Sequence, residues 1–120
     1  MTVRSQAVGE YGERLAARHL EESGYRLLAR NWRCPGGELD IVAVDPHGTL
    51  AIVEVKTRRG LAYGHPFEAI TPVKLARLRR LAGAWLAERP HRGEVRLDVV
   101  AVTLVPRGAP RLEHLAGVDW

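Results

Sequence analysis

Two stretches of the chain carry hydrophobic residues at the spacing of an α-helix. The first runs from about Ser5 to Ser23, and Gly24 follows it as a C-terminal stop. The second begins with Thr71 as N-cap and Pro72 in the first turn, and it runs to about residue 88. The apolar side of the first helix is formed by Val8, Tyr11, Leu15 and Leu20. The pattern therefore predicts two amphipathic helices.

The remaining hydrophobic runs are rich in β-branched residues and have the length of β-strands. They span about residues 25–32, 41–44, 50–53 and 94–105. Residues 60–66, rich in glycine and aromatic residues, predict a mobile loop, and residues 106–110 predict a turn into a short terminal segment at 111–115. With 120 residues, this order of elements predicts a single α/β domain over residues 1–120.

The turn between residues 44 and 50 predicts the register of a β-hairpin. Pro46 suits the first central position of a type I turn and Gly48 the left-handed position after it, as in a three-residue loop closed by a bulge. Such a loop pairs Asp45 with Thr49. Because side chains alternate along a strand, all members of the preceding pairs are expected on one face. These pairs are Val44 and Leu50, Val42 and Ile52, Asp40 and Glu54, and Glu38 and Lys56.

Asp40 and Glu54 are the most informative of these pairs because they bring two carboxylates into near contact. Opposed Cβ atoms lie roughly 5 Å apart, and like charges at that separation destabilise a sheet unless a proton or a cation intervenes. A hard divalent ion, Mg²⁺ or Mn²⁺, suits an all-oxygen site with room for water and a substrate phosphate. The alternative is that Glu38, Asp40, Glu54 and Lys56 form a solvated charge ladder at an exposed end of the hairpin.

The two lysines stand out against the arginines. Sixteen of the 18 basic residues are arginine, which leaves only Lys56 and Lys74. Lysine at position 56 hints at a need for a compact ammonium group whose pKa shifts on burial, a property that guanidinium lacks. Lys74 lies in the first turn of the second helix, where the helix dipole disfavours a cation. Either a phosphate or carboxylate partner explains it, or it is a simple surface lysine.

The overall charge points to a polyanionic partner. The formal net charge is +4 and the isoelectric point is near 9.8. Clustered basic residues neutralise phosphates locally, and Arg58 and Arg59 directly follow the proposed metal site. A solvated basic surface is the competing interpretation. Other clusters lie at Arg30 and Arg33 and at Arg77, Arg79 and Arg80.

Several protein classes are disfavoured by the composition. The lone cysteine, Cys34, excludes an internal disulfide, is expected to be structural, and fits a reducing cytoplasm. No apolar run approaches the roughly 20 residues of a membrane span, and the N-terminal residues show no apolar signal-peptide core. The five histidines are scattered without metal-ligand spacing, which argues against zinc and against a histidine-activated nucleophile. We therefore expect a cytoplasmic protein without membrane association.

Two further acidic residues are second candidates for the site. Glu13, on the first helix, has alanines and a leucine where an ion-pair partner would lie, so it is expected to face the sheet; a surface glutamate is the alternative. Asp98 alternates with valines on one strand face. It is expected either to pair structurally with an arginine such as Arg96 or to lie at the edge of the site.

A series of short motifs occurs along the chain from about residue 9 to residue 100. In order, they are Gly12-Glu13, Gly24-Tyr25, Arg30-Asn31, G-E-L-D at residues 37–40, E-V-K-T-R at 54–58, Gly64, Lys74, Leu78 and R-L-D-V-V at 96–100. The series resembles the YraN family, also called UPF0102, which is similar to restriction-endonuclease-like PD-(D/E)XK nucleases and particularly to archaeal Holliday junction resolvases. The resemblance implies a mixed central β-sheet flanked by helices on both sides, with a helical glutamate near a metal site.

The resemblance also implies roles for individual residues. Asp40 takes the aspartate position of the nuclease motif, and Glu54 and Lys56 take the E-x-K positions. Glu13 matches the glutamate that resolvase-type members bring from the first helix. Leu39 stands where the nuclease pattern usually has proline, a difference that removes no ligand. Glu38 has no counterpart in the minimal motif.

The residues and the resemblance together suggest metal-assisted phosphodiester hydrolysis. Asp40 and Glu54 are expected to bind the metal directly, with the backbone carbonyl of Val55 as a further ligand and Glu13 acting through water or a second ion. Lys56 is expected to orient the attacking water or to stabilise developing negative charge. Flanking phosphates would be held by Arg58, Arg59 and Lys74.

Two functions remain open on this basis. One is a metal-dependent nuclease acting on branched or otherwise structured DNA. The other is a non-catalytic domain that binds nucleic acid or docks a partner while retaining the nuclease fold. The resemblance to junction resolvases further implies a homodimer, because a junction has two scissile strands.

Overall fold

A computed structural model of the chain describes residues 3–60 and 64–118, with side chains from residue 6 onward. It contains two helices, one short 3₁₀ helix at Pro66–Ala69 and five strands. The helices are α1 (Val3–Glu22) and α2 (Pro72–Glu88), and the strands are β1 (Arg26–Cys34), β2 (Gly37–Val44), β3 (Leu50–Arg59), β4 (Val95–Leu104) and β5 (Arg111–Val118).

The five strands form one mixed sheet in the order β1-β2-β3-β4-β5. β3 and β4 are parallel and are connected through α2, whereas the other neighbours are antiparallel. One face packs against α1 through Ala16, Ala17 and Leu20, and the other packs against α2. Burial on both faces explains why the central strands are nearly continuous apolar runs. The predicted α/β fold, a mixed sheet flanked by helices, is confirmed.

Most predicted element boundaries are close to the observed ones. α1 begins two residues earlier than predicted, and Gly24 follows its end with a φ of +89°. Thr71 caps α2 as predicted, since its side-chain oxygen accepts a hydrogen bond from the Lys74 amide at 3.2 Å. β1 extends to Cys34, which packs beside the α2 core. No helix in the described ranges is both long and apolar enough to cross a membrane.

The segments at 60–66 and 111–115 differ from the sequence interpretation. Residues 61–63 of the predicted mobile loop lie outside the described residues, and Pro66 starts the 3₁₀ helix. The terminal segment is the edge strand β5, antiparallel to β4. Its strand character was missed because several of its residues are exposed, so it carries little of the hydrophobic alternation that marks a strand.

The hairpin register is confirmed near the turn and wrong farther from it. Val44 pairs with Leu50, and the Asp45 amide donates to the Thr49 carbonyl at 2.9 Å. The β2–β3 ladder ends at the pair of Ile41 and Val53, so the predicted Asp40–Glu54 and Glu38–Lys56 ladder pairs do not form. The expectation of one shared face is confirmed for Val42, Leu50 and Ile52, which pack in the α2 core, and it fails at Asp40.

The alternation of side chains is interrupted at Asp40 and at Asn31 on the neighbouring strand. Leu39 and Val42 are three residues apart, yet both pack in the α2 core, and the same holds for Ala29 and Trp32 on β1. Asn31, between the last two, has a φ of +52°, a left-handed conformation that asparagine tolerates better than most residues. Period-two counting therefore cannot be carried through this point.

Gly12 allows α1 to lie close to β3 beside the candidate site. A Cβ atom at position 12 would lie 1.8 Å from Oγ1 of Thr57. We expect Gly12→Ala to lower the free energy of unfolding by about 1–3 kcal/mol, because this overpacking outweighs the better helix propensity of alanine. The measurement is urea unfolding followed by circular dichroism. Gly9→Ala is the matched control on the same helix, since a Cβ there meets nothing within 4 Å, and equal stability of the two variants would contradict the prediction.

Candidate functional site

Asp40 lies where β2 separates from β3. Its Oδ2 accepts a hydrogen bond from the Val55 amide at 2.8 Å, just beyond the last pair of the β2–β3 ladder. Because the amide and carbonyl of one strand residue point to the same side, the Val55 carbonyl also points toward Asp40. The end of the ladder therefore offers a carboxylate and a backbone carbonyl to the same space.

The side chains of Glu54 and Lys56, two residues apart on β3, extend to the same side of the strand. Oε2 of Glu54 and Nζ of Lys56 are 3.3 Å apart, and their side chains are only 16% and 27% exposed. Burial, followed by the negative charge of Glu54, raises the pKa of Asp40 to about 8. The predicted near contact between the carboxylates of Asp40 and Glu54 is present, although a ladder pair does not create it.

Glu13 reaches this cluster from α1, as predicted. Burial and the charge of Glu38 raise the pKa of Glu13. With its amide nitrogen facing both carboxylates, Asn31 donates to Oε1 of Glu13 at 2.7 Å and to Oε1 of Glu38 at 2.9 Å. Sequence reasoning assigned no role to Asn31. The available signal was an asparagine between Arg30 and Trp32 in a predicted strand, since asparagine is suited to a left-handed backbone.

Glu38 is not the partner of Lys56 that the hairpin register predicted. Its Oε2 is 3.0 Å from Nε of Arg33, its pairing residue on β1. Glu38 is therefore held toward β1 by Arg33 and Asn31, whereas Lys56 pairs with Glu54. The four residues do not form the alternative single charge ladder either.

Lys74 approaches the site from the first turn of α2. The neighbouring Lys56 ammonium is the main reason that the pKa of Lys74 is lowered, while the charge of Glu54 acts in the opposite direction. These two lysines border a small cavity of about 60 Å³ together with Glu38, Glu54 and Arg77. Two adjacent ammonium groups favour an anionic ligand between or beside them. The convergence of both lysines and Arg77 was not predictable from their separation in sequence.

A larger cleft of about 430 Å³ opens over the carboxylates. Its lining includes Glu13, Asp40, Glu54, Val55, Lys56, Arg58 and Arg59. Nε of Arg58 is buried and has no hydrogen-bond partner within the described part of the chain, and the same is true of Oγ1 of Thr103 on the paired position of β4. Arg58 itself lines the cleft, so its guanidinium adds positive charge beside the carboxylates, which favours an anionic ligand.

The donor set fits a hard divalent ion held by few protein ligands. Among residues 3–60 and 64–118, no three His, Cys, Asp or Glu side chains are grouped closely enough to hold a metal by themselves. Mg²⁺ commonly binds through one or two carboxylates and keeps waters or substrate phosphates as its other ligands. Asp40, Glu54 and the Val55 carbonyl match that pattern, whereas Glu13 is held by Asn31 and would act through water.

Asp98 belongs to a separate polar network. It is fully buried, and its carboxylate accepts hydrogen bonds from Nε of Arg96 at 2.8 Å and from Nε2 of His114 at 2.9 Å. Arg96 also donates to Oδ2 of Asp45 and to the hydroxyl of Tyr25, both at 2.6 Å. The predicted structural pairing of Asp98 with Arg96 is confirmed.

The stability of the metal-free protein is expected to fall as pH rises from 6 to 9. A carboxyl group with a raised pKa contributes stability that is fully present below its unfolded pKa of about 4 and is lost as pH passes its folded value, here about 8. Each pKa unit corresponds to about 1.4 kcal/mol. Urea unfolding in EDTA should show that the free energy of unfolding falls by at least that amount between pH 6 and pH 9. Asp40→Asn should largely abolish this pH dependence. The exposed Glu10→Gln is the control, and an unchanged pH dependence in Asp40→Asn would refute the assignment.

Comparison with known proteins identifies the family. The model of the uncharacterised protein family UPF0102 matches residues 12–102, a segment that includes every candidate site residue named above. The chain belongs to this family. A UPF0102 protein of Beutenbergia cavernae is 62% identical over 113 residues, which cover 93% of this chain and 95% of that protein. A UPF0102 protein of Kineococcus radiotolerans is 56% identical over 115 residues, covering 94% and 93%. The predicted family membership is confirmed.

A solved structure, a repair endonuclease from Pyrococcus abyssi, is similar to part of this UPF0102 chain. The match has a TM-score of 0.46 and 18% sequence identity, and it covers 82% of this chain. The chain spans 38% of the length of that structure. The function proposed below rests on the site residues themselves.

Proposed function

We propose that this UPF0102 protein is a metal-dependent nuclease that hydrolyses phosphodiester bonds in DNA, with branched or junction DNA as its substrate. The observation that carries the proposal is the convergence of the Asp40 and Glu54 carboxylates on one cleft beside the Lys56 ammonium. Two like charges this close are relieved either by a proton on one carboxyl group or by a bound cation, and only a cation leaves both carboxylates ionised.

Asp40, Glu54 and the Val55 carbonyl would hold Mg²⁺ or Mn²⁺, and Glu13 would contribute through water or a second ion. When bound, the ion supplies Lewis-acid polarisation of the phosphoryl oxygen and lowers the pKa of water. Asp40 is already oriented by the Val55 amide, so little side-chain ordering is needed on binding. Glu54 and Val55 lie on β3, which is paired with β4 along its whole length. This pairing holds the backbone of both residues in place.

Lys56 would act on the reacting groups. Its ammonium is held 3.3 Å from Glu54 and beside the cleft, from which it would orient the attacking water or stabilise the negative charge that develops on the phosphoryl group. The nearby Lys74 ammonium reinforces a local positive potential on this side of the carboxylates. The site thus has an acidic half for a cation and a basic half for a phosphate.

Flanking phosphates would be held by Arg58, Arg59 and Lys74. Arg58 and Arg59 line the cleft that contains the carboxylates, and the buried Nε of Arg58 lacks a partner within the described residues. Contacts of this kind position a nucleic-acid backbone without reading its sequence. We therefore expect cleavage to depend on DNA shape more than on base sequence.

A panel of DNA substrates tests the proposal. Purified protein is incubated with Mg²⁺ or Mn²⁺ and with linear, flapped and four-way junction DNAs, and the products are separated on denaturing gels. We expect metal-dependent cleavage that is strongest on branched DNA and abolished by EDTA. Absence of cleavage on the whole panel would contradict the proposal. If junctions are cut on two strands, sedimentation should show a homodimer.

Metal binding is tested first by calorimetric titration with Mn²⁺. We expect binding by the wild-type protein and strongly weakened binding by Asp40→Asn, a nearly isosteric change that removes one anionic ligand. Wild-type protein that binds no Mn²⁺ would favour the alternative, a non-catalytic domain that binds nucleic acid or docks a partner.

A further inference from the structure

A second cavity lies beside the proposed catalytic cleft and has a different character. It measures about 480 Å³, within the range of roughly 300–1,000 Å³ typical of ligand pockets. It lies between α1, the end of β3 and the turn after β4. Its principal walls are formed by Tyr11, Arg59, Leu104, Val105, Pro106 and Pro110.

The walls of this cavity combine apolar surfaces with the Arg59 cation, and the Arg14 guanidinium lies over the Tyr11 ring at 5.7 Å from its centroid. Tyr11 and Val105 are 39% and 40% exposed, unusual for large hydrophobic residues, and the prolines add further apolar surface. No acidic residue lines the cavity in the described part of the chain, and Arg59 provides a cation. Its floor is held by a hydrogen bond of 2.8 Å from the Gly60 amide to the Leu104 carbonyl. A planar apolar group attached to an anion fits this combination.

Arg59 connects this cavity to the catalytic cleft, since it lines both. On α1, Tyr11 borders the apolar cavity and Glu13 borders the cleft. A polyanionic strand with its phosphates in the cleft would pass Arg59 and bring the adjacent base to Tyr11. Duplex stacking would have to be broken for that base to enter.

We propose that this cavity binds one unstacked nucleobase of a DNA strand whose phosphate lies in the neighbouring cleft. The inference rests on the proposed function for the position of that phosphate, and it extends the function to substrates with unpaired nucleotides at the cleavage site. Stacking on an aromatic side chain accepts every base, and no amide or carboxylate side chain lines the described cavity to read base edges. Binding is therefore insensitive to which base is present.

The test measures binding in EDTA, where no cleavage occurs, to single-stranded oligonucleotides that carry one abasic site moved along the strand. Wild-type protein should bind more weakly when the abasic site occupies one particular position or two. Tyr11→Ala should weaken binding to the intact strand by about 5- to 150-fold, the range for loss of one base–aromatic stack, and should no longer respond to the abasic site. Tyr11→Phe keeps the ring and is expected to behave like wild type.

Two results would overturn the inference. One is a wild-type affinity that ignores the abasic site at every position. The other is a Tyr11→Ala variant that loses the same factor in affinity for intact strands and for abasic strands. That result points to general destabilisation or to a different occupant of the cavity, such as an apolar peptide. Thermal melting of both variants checks the fold.

Lys56→Ala separates this inference from the proposed nuclease activity. It should keep the abasic discrimination and lose cleavage. If the wild-type protein discriminates abasic strands but cleaves no DNA, the base-binding cavity is supported and the nuclease function is contradicted. If it cleaves DNA without discriminating abasic strands, the nuclease function is supported and the base-binding cavity is contradicted.

Discussion

Lys56→Ala is expected to reduce metal-dependent DNA cleavage by about 10²–10⁴-fold, the usual contribution of a positioned acid–base or electrostatic group. The Lys56 ammonium is the cation nearest to the Glu54 carboxylate, so its removal leaves both proposed metal-binding carboxylates in place. Mn²⁺ binding should therefore be retained or strengthened while turnover is lost. The measurements are single-turnover cleavage rates and calorimetric titration on the same preparation.

Lys74→Ala is the matched control because it removes the adjacent ammonium from the other side of the cavity. Lys74 is exposed and is proposed to hold a flanking phosphate, so its loss should weaken DNA binding with a smaller effect on the single-turnover rate. Asp40→Asn should lose metal binding and cleavage together. Cleavage that persists unchanged in both Lys56→Ala and Asp40→Asn points to a contaminating nuclease and removes the proposed mechanism.

Arg96→Met is expected to lower the free energy of unfolding at neutral pH by about 3–5 kcal/mol, the cost of leaving a buried charge without its partner. Arg96 donates from Nε and Nη2 to Asp98, from Nη1 to Asp45 and also from Nη2 to Tyr25, and Asp98 is fully buried. The variant should unfold at a much lower urea concentration. Since Asp45 also accepts the His47 and Thr49 amides, the hairpin turn should loosen as well.

The pH dependence separates this loss from a simple packing defect. Burial alone would raise the pKa of Asp98, but hydrogen bonds from His114 and Arg96 outweigh it and lower the pKa. A lowered carboxyl pKa contributes stability that is present above about pH 4 and lost as pH falls further. The difference between wild type and Arg96→Met should therefore shrink in acid. Adding Asp98→Asn should recover part of the loss at neutral pH.

Arg89→Met is the control for the Arg96 experiment. Arg89 makes an exposed pair with Glu88 at 3.6 Å, and its guanidinium lies 4.4 Å from the centroid of the Trp85 ring. An exposed ion pair and an exposed cation–π contact contribute about 0–1 kcal/mol each. A loss in Arg96→Met no larger than that in Arg89→Met would show that the buried network does not stabilise the fold.

The two helices, the first four strands and the hairpin turn were predictable because they depend on neighbouring residues. The three-residue loop from Pro46 to Gly48 sets the backbone of the turn, and the pairing of Val44 with Leu50 follows directly. The cap at Thr71 is equally local. The predicted register fails at Asp40, four residues from Val44 along β2. The side chains stop alternating there, beside the left-handed Asn31 on the neighbouring strand β1. An interaction between strands of that kind is not encoded in the periodicity of either strand alone.

The sequence by itself determined the two helices, the hairpin turn, the family and the acidic and basic residues available for a metal and a phosphate, because spacing and residue chemistry are properties of contiguous segments. Only the tertiary structure decided how they meet. It brings Lys74 beside Lys56, holds Glu13 through Asn31, directs Glu38 toward Arg33 and places Asp98 in a separate network. These arrangements arise from the packing of α1 and α2 on opposite faces of the sheet, which depends on contacts between residues far apart in the chain.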